Sequence, residues 1–375
     1  MSLKNEAQSV LDKSKYYVGR YTEGMTRERI NIDYKADRER LQKLYRETVV
    51  TEQELRTGEE IGIHVKIGRL FTALVQRLNP VRRLAFFGTL FAFVLPYIAE
   101  AGLFTSVMHP VAFLMLIVLL FIELLEKLDA KKEIDLAREI QLSLLPPPEV
   151  RTESLEIVSF ANTAQEVGGD YVDVIETPAG KLVIVADVSG KGLSAALYMV
   201  RMQALVHLLT RQHRLSPREL FLELNSLIQS GRKDKTFVTA CAAFFPNGED
   251  HFLFCRAGHN HPFLFTMADD TVRSLRNRGL ALGMTTQELL EEHLEEAKIP
   301  FKKGDTLLLY TDGLNEARNE SGEEFGEDRI ESVMEIYASI NAKTVVHKLQ
   351  SSLESFIGST KPLDDITFTV IHRKS

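Results

Sequence analysis

Tryptophan is missing from all 375 residues, and cysteine occurs only as Cys241 and Cys255. Two cysteines in a chain of this length make no disulfide framework and point to a reducing compartment. Both lie in apolar, strand-like runs and read as core residues rather than redox centres. No paired cysteines and no His-x-x-x-His spacing offer a zinc site. Positive charge is not in excess: the formal net charge of −7 argues against nucleic acid as a partner. The first 60 or so residues are too polar to supply the apolar core of a signal peptide. The stretch Gly190-Lys191-Gly192-Leu193-Ser194 lacks the Gly-x-x-x-x-Gly-Lys-[Ser/Thr] frame of a nucleotide P-loop. With no other nucleotide-binding signature, a cyclase or kinase output domain is set aside.

What is present divides the chain. At 375 residues, 45% hydrophobic and 26% charged, it has ordinary globular composition and room for two cores. Residues 1–83 are polar and helical in spacing, and their role is not legible. Within them Ile67, Leu70, Phe71, Leu74 and Leu78 recur at three- and four-residue steps. Lys66, Arg69 and Arg77 lie around that stripe, and Arg82 and Arg83 follow, a pattern that suits either a soluble amphipathic helix or one lying on an anionic membrane.

Residues 84–98 and 111–122 are two apolar runs separated by Glu100, Gly102, His109 and Pro110, which read as a break. Each run is shorter than the roughly 20 residues of a straight membrane span. Positive charge flanks both (Arg82 and Arg83 before, Lys127, Lys131 and Lys132 after), and the connection has none. Residues 84–125 are therefore expected to form a two-helix transmembrane hairpin with both termini and everything beyond it in the cytoplasm. A buried helical hairpin at a dimer interface is the alternative. Residues 126–148 read as a helical linker ended by Pro146-Pro147-Pro148. Its Ile134, Ala137, Gln141 and Leu144 follow a 3-4-3 spacing that suits a short coiled coil and a homodimer.

After Glu149 the texture changes. Strand-like runs at 155–161, 181–188, 237–245, 251–257, 261–265, 306–310 and 366–371 are grouped between helical blocks at 193–212, 217–230, 287–292, 329–339 and 343–356. Grouping rather than single alternation predicts an α+β layered domain over residues 149–375.

Four acidic sites in this domain sit at strand ends beside glycine or a second acid. They are Glu166-Val167-Gly168-Gly169-Asp170-Tyr171-Val172-Asp173, Asp187-Val188-Ser189-Gly190-Lys191-Gly192, Tyr310-Thr311-Asp312-Gly313 and Asp364-Asp365-Ile366-Thr367. An aspartate at the end of a buried strand is costly unless its charge is met, and several together repel. Divalent cations resolve this, all-oxygen ligation favours Mg²⁺ or Mn²⁺, and glycine lets backbone carbonyls approach. Two such cations would acidify a water and polarise a phosphoryl group for hydrolysis of a phosphomonoester.

In order and together, these motifs resemble the bacterial stress-response and sporulation branch of the metal-dependent PPM serine/threonine protein phosphatases. Ala137-Arg138-Glu139-Ile140-Gln141, Ala257-Gly258-His259-Asn260, Glu316-Ala317-Arg318 and Phe325-Gly326 extend the resemblance over more than half the chain. It implies a β-sandwich flanked by helices and two Mn²⁺ or Mg²⁺ ions, with room for a third, weaker site. Asp187 would bridge the pair, the Val188 carbonyl, Asp312 and Asp364 would be further ligands, and Asp170 the acidic residue of the first motif. Gly169, Asp173 and His259 are candidate helpers, His259 either as a general acid or as part of a structural turn. The implied substrate is a phosphorylated regulatory protein of the anti-sigma-factor-antagonist type, and the implied location the cytoplasmic face of a bacterial inner membrane. The helices from Leu193 and Pro217 resemble the family's regulatory switch. A catalytically silent phosphoprotein-binding scaffold is the rival reading, against which the complete aspartate set argues.

Overall fold

A computed structural model describes residues 63–98, 102–212, 215–230 and 236–374, together with Arg38. Most of the 1–83 region therefore lies outside the described residues. The chain divides into two compact units, Met1–Lys127 and Leu128–Ser375.

The described part of the first unit is helical: α1 (Ile63–Arg77), α2 (Pro80–Ile98) and the start of α3 (Gly102–Leu144). Asn79 begins α2 by accepting the Val81 N–H at 3.2 Å, with Pro80 in the first turn, where a missing N–H costs nothing. The α1 stripe meets α2 through Phe71 and Phe86, whose ring centroids are 6.1 Å apart. His109 and Pro110 do not break the chain as expected. They lie inside α3, because an interior proline removes one hydrogen bond from a helix whose other rungs persist. The second apolar run and the linker are thus one continuous helix. It ends at Leu144, with Leu145 between it and the three prolines.

The second unit is a four-layer sandwich of two antiparallel sheets between two helical layers. One sheet has strand order β1-β2-β11-β10-β7-β8, the other β3-β4-β5-β6-β9. The strands are β1 (Glu149–Arg151), β2 (Leu155–Asn162), β3 (Tyr171–Thr177), β4 (Gly180–Val188), β5 (Val238–Pro246), β6 (His251–Ala257), β7 (Phe263–Thr266), β8 (Thr271–Ser274), β9 (Glu296–Pro300), β10 (Thr306–Tyr310) and β11 (Ile366–Arg373). The helices are α4 (Leu193–Gln212), α5 (Pro217–Ser230), α6 (Gln287–His293), the single turn α7 (Asp312–Asn315), α8 (Glu327–Tyr337) and α9 (Ala342–Ile357).

Period-two patterning sorts each strand between two cores. Leu182, Ile184, Ala186 and Val188 of β4 pack with Met199, Val206 and Phe221 of α4 and α5. Val183 and Val185 face the other sheet and meet Leu307, Leu309 and Ile371 between the layers. On the far side, Leu308, Phe368 and Val370 pack under Ile330, Val345 and Leu349 of α8 and α9. Cys241 and Cys255 are buried free thiols, as expected. The 3-4-3 face of the linker differs from its coiled-coil reading: Gln141 is buried and bonded to Gly168 of its own domain, and Ile134, Ala137 and Leu144 are half-buried.

Candidate metal centre

The inward-facing rows of three strands turn polar at one end of the sandwich. On β4 the row Val183, Val185 continues to Asp187, whose cross-strand partner is Thr239 of β5. On β10 the row Leu307, Leu309 continues to Thr311, immediately before Asp312. On β11 the row reaches Thr367 and Asp365, with Asp364 one residue earlier. The Thr311 N–H donates to the Thr367 carbonyl at 2.9 Å, which sets the Asp312 turn beside the Asp364-Asp365 turn.

Glycines allow this crowding. A Cβ at Gly313 would lie 1.9 Å from the Asp365 carbonyl oxygen, and one at Gly168 would lie 2.2 Å from an Asp365 carboxylate oxygen. A Cβ at Gly169 would stand 2.9 Å from the Val188 carbonyl oxygen and 3.4 Å from Asp187 Oδ1. The space beside the Asp187 carboxylate and the Val188 carbonyl thus exists only because residue 169 has no side chain.

Asp170 and Asp173 are separated by strand parity. Asp170 shares the inward side with Val172, is buried, and accepts a hydrogen bond from the Thr311 hydroxyl at 2.8 Å. Asp173 faces the helices. It accepts from the Tyr171 hydroxyl at 2.9 Å and lies 2.7 Å from His207 Nε2 of α4. Asp173 therefore ties β3 to α4 and stands apart from the other aspartates.

Electrostatics mark the same rim. Burial, then the charges of Asp312, Asp364 and Asp365, push the Asp187 carboxyl up to about 7. Burial and Asp187 push Asp170 well above the usual carboxylate range. Asp312 is raised by burial and Asp364. Asp365 is raised by burial, partly offset by N–H donors from Ala164 at 2.8 Å and Gly169 at 2.7 Å. Lys191 is the cation of the cluster; its Nζ lies 2.6 Å from Asp364 Oδ2 and donates to the Leu363 carbonyl at 2.9 Å.

His259 is 4% exposed, and its Nδ1 lies 2.9 Å from the Thr239 hydroxyl. Burial lowers its pKa to about 3, so the ring is neutral. Its Nε2 is buried without a well-formed hydrogen bond. A neutral, enclosed imidazole does not suit the general-acid reading; it braces the strand next to Asp187. The following Asn260 donates to Asn315 of α7 at 2.7 Å, latching the same turn onto the Asp312 helix.

Asp187, Asp312, Asp364, Asp365 and Asp170 thus gather at one rim without closing into a tight cage. Among the described residues, the group whose ligand atoms all lie within 4.8 Å of one another is Glu249, Asp250 and His251, a different part of the domain. The rim nevertheless fits divalent cations. Among the described residues its donors are oxygens and its carboxylates outnumber its lysine, Lys191, and the Gly169 space opens onto a carboxylate and a carbonyl. Sequence reading carried Asp365, Thr311, Lys191 and Gln141 within its motifs but gave none of them a role in this site. The doubled Asp364-Asp365 was a signal for the first; the others carry none in isolation.

The model of the Stage II sporulation protein E (SpoIIE) family matches residues 178–374. The chain belongs to the SpoIIE family. It is 27% identical over 249 residues to the phosphoserine phosphatase RsbU of Bacillus subtilis, covering 66% of this chain and 71% of RsbU. It is 31% identical over 195 residues to the phosphoserine phosphatase RsbP of the same organism, covering 50% of this chain and 46% of RsbP. The SiaA-PP2C domain of Pseudomonas aeruginosa superposes over 67% of this chain and 99% of its own length, with TM-score 0.56 and 20% identity. The RsbU and RsbW domains of Rv1364c from Mycobacterium tuberculosis superpose over 61% of this chain and 62% of theirs, with TM-score 0.50 and 23% identity. The SpoIIE-family unit therefore has the PP2C-type α+β fold, as expected.

Proposed function

We propose that the Leu128–Ser375 unit removes phosphate from phosphoserine or phosphothreonine of a regulatory protein of the anti-sigma-factor-antagonist type. Family membership and the RsbU and RsbP relatives make the chain a metal-dependent protein-serine/threonine phosphatase. The observation that carries the finer reading is the gathering of Asp170, Asp187, Asp312 and Asp364 at one end of the two sheets, around the space left by Gly169. Asp187, the Val188 carbonyl, Asp312, Asp364 and Asp170 would hold the Mn²⁺ or Mg²⁺ ions. When bound, the pair supplies an acidified water and Lewis-acid polarisation of the phosphoryl group. The chain's own contribution is orientation: Thr311 fixes Asp170, and two backbone N–H groups fix Asp365 below the glycines. Phosphate release from a serine-phosphorylated antagonist, with and without Mn²⁺, tests the reading; no release in either condition refutes it.

We further propose that residues 84–125 cross a bacterial inner membrane as a hairpin, with the phosphatase unit in the cytoplasm. In support, the Val107–Leu144 helix contains an 18-residue window of mean hydropathy 2.4 that is 6% buried. Among the described residues, Leu193–Arg211 also has the length and composition of a span, but it is 33% buried and packs in the phosphatase core. Arg82, at the start of α2, pairs with Glu123 at 2.9 Å and with Glu126, joining the polar ends of the two hairpin helices. The continuous α3 would carry signals from the membrane to the site, because its Gln141 holds Gly168 directly.

A further inference from the structure

The first turns of α4 are apolar on two sides. Ala195, Ala196 and Met199 are buried inward, while Leu193 is 51% and Leu197 62% exposed on the outer side. A soluble helix usually leaves its outward face polar. A third large apolar side chain, Leu363, is 66% exposed on the turn before β11. Lys191 joins these elements. It precedes α4 by two residues, and its Nζ holds the Leu363 carbonyl at 2.9 Å and the Asp364 carboxylate at 2.6 Å. Among the described residues, three exposed leucines thus lie on the elements that Lys191 joins at the rim of the aspartate site.

Single exposed leucines are ordinary, but a group beside a charged site marks an interaction surface. We propose that Leu193, Leu197 and Leu363, with Lys191 between them, form the docking surface for the folded body of the phosphoprotein substrate. The inference rests on the phosphatase reading. Two features select this occupant. Lys191 is complementary to a phosphate dianion in a cluster otherwise negative. Leu363 adjoins Asp364 in sequence and Leu193 follows Lys191 by two residues, so these leucines lie on the elements that carry the rim, and only a protein, not a free phosphate ester, has the apolar area to cover three leucines. Recognition then has two parts: the aspartate rim takes the phosphoryl group, and the leucines read the surface around it.

The test uses the full-length chain with Mn²⁺ and three substrates: an intact serine-phosphorylated antagonist protein, a phosphopeptide of about ten residues cut from it, and p-nitrophenyl phosphate. Leu197→Glu and Leu363→Glu are expected to lower kcat/KM for the intact protein about tenfold. Peptide and ester should change less than about twofold, and Leu197→Met should restore the protein reaction. An equal loss on all three substrates, or none on the intact protein, overturns the proposal. A variant that loses a dimer in light scattering while keeping its substrate ratio assigns the leucines to a second copy of the chain and also overturns it. Failure of the unsubstituted chain to release phosphate from any of the three would instead strike the phosphatase reading itself.

Discussion

Gln141 holds Gly168 by both backbone groups: its Nε2 donates to the Gly168 carbonyl at 2.6 Å, and the Gly168 N–H donates to its Oε1 at 3.1 Å. The next residues, Gly169 and Asp170, border the aspartate rim, so the end of α3 is bonded to the backbone of the site. Gln141→Ala leaves a buried N–H and carbonyl without partners, at a cost of about 2–4 kcal/mol. Urea unfolding of the phosphatase unit should show this as a lower midpoint with unchanged slope; an unchanged midpoint would mean the pair contributes nothing.

Gly169→Ala places a Cβ 2.9 Å from the Val188 carbonyl oxygen. A backbone oxygen cannot swing aside as a side chain can. The fold should survive, judged by circular dichroism, while the Mn²⁺ concentration for half-maximal activity rises about tenfold. An unchanged Mn²⁺ requirement would place the cation elsewhere.

The Asp187 carboxyl, pushed up to about 7 by burial and its acidic neighbours, gives a pH dependence of definite sign. Between the ordinary carboxylate range near 4 and about pH 7, the folded metal-free unit holds a proton that the unfolded chain has lost. Its stability should therefore fall as pH rises across that window and level off above. Cation uptake must displace the same proton, so Mn²⁺ should bind more tightly as pH rises from about 6 to 7.5. Calorimetric titrations in that range check this, and a pH-independent affinity would contradict it.

Membrane attachment predicts different behaviour for two chains. The full-length protein should sediment with membranes and need detergent for release, whereas a chain beginning at Asp129, within the compact Leu128–Ser375 unit, should stay in the supernatant. A full-length protein soluble without detergent would remove the hairpin from the membrane.

Much of this architecture was legible because local pattern and burial coincide. The helices Leu193–Gln212 and Pro217–Ser230 and the strands His251–Ala257 and Thr306–Tyr310 match their expected bounds. The strands β1, β8 and β9 were not read because their largely exposed or half-buried residues form no apolar run, unlike the equally short but wholly buried β10. β3 was read only as a motif, its Asp170 and Asp173 undecided until the strand put them on opposite faces. His109 and Pro110 read as a break because proline is a breaker in isolation; α3 runs through it. Gln141 fitted a helical spacing, but nothing in that spacing said its face would turn to its own domain. Long-range partners such as Asp365 with Ala164 and Gly169 depend on sheet closure and have no local signature.

The most direct measurement is Mn²⁺-dependent phosphate release from a serine-phosphorylated antagonist by Asp187→Asn. The account predicts a loss of at least about 100-fold, equivalent to about 2.7 kcal/mol of barrier. The metal-free variant should also melt at a higher temperature than the parent, because a crowded carboxylate has been removed. Full activity retained by Asp187→Asn would contradict the account at its centre.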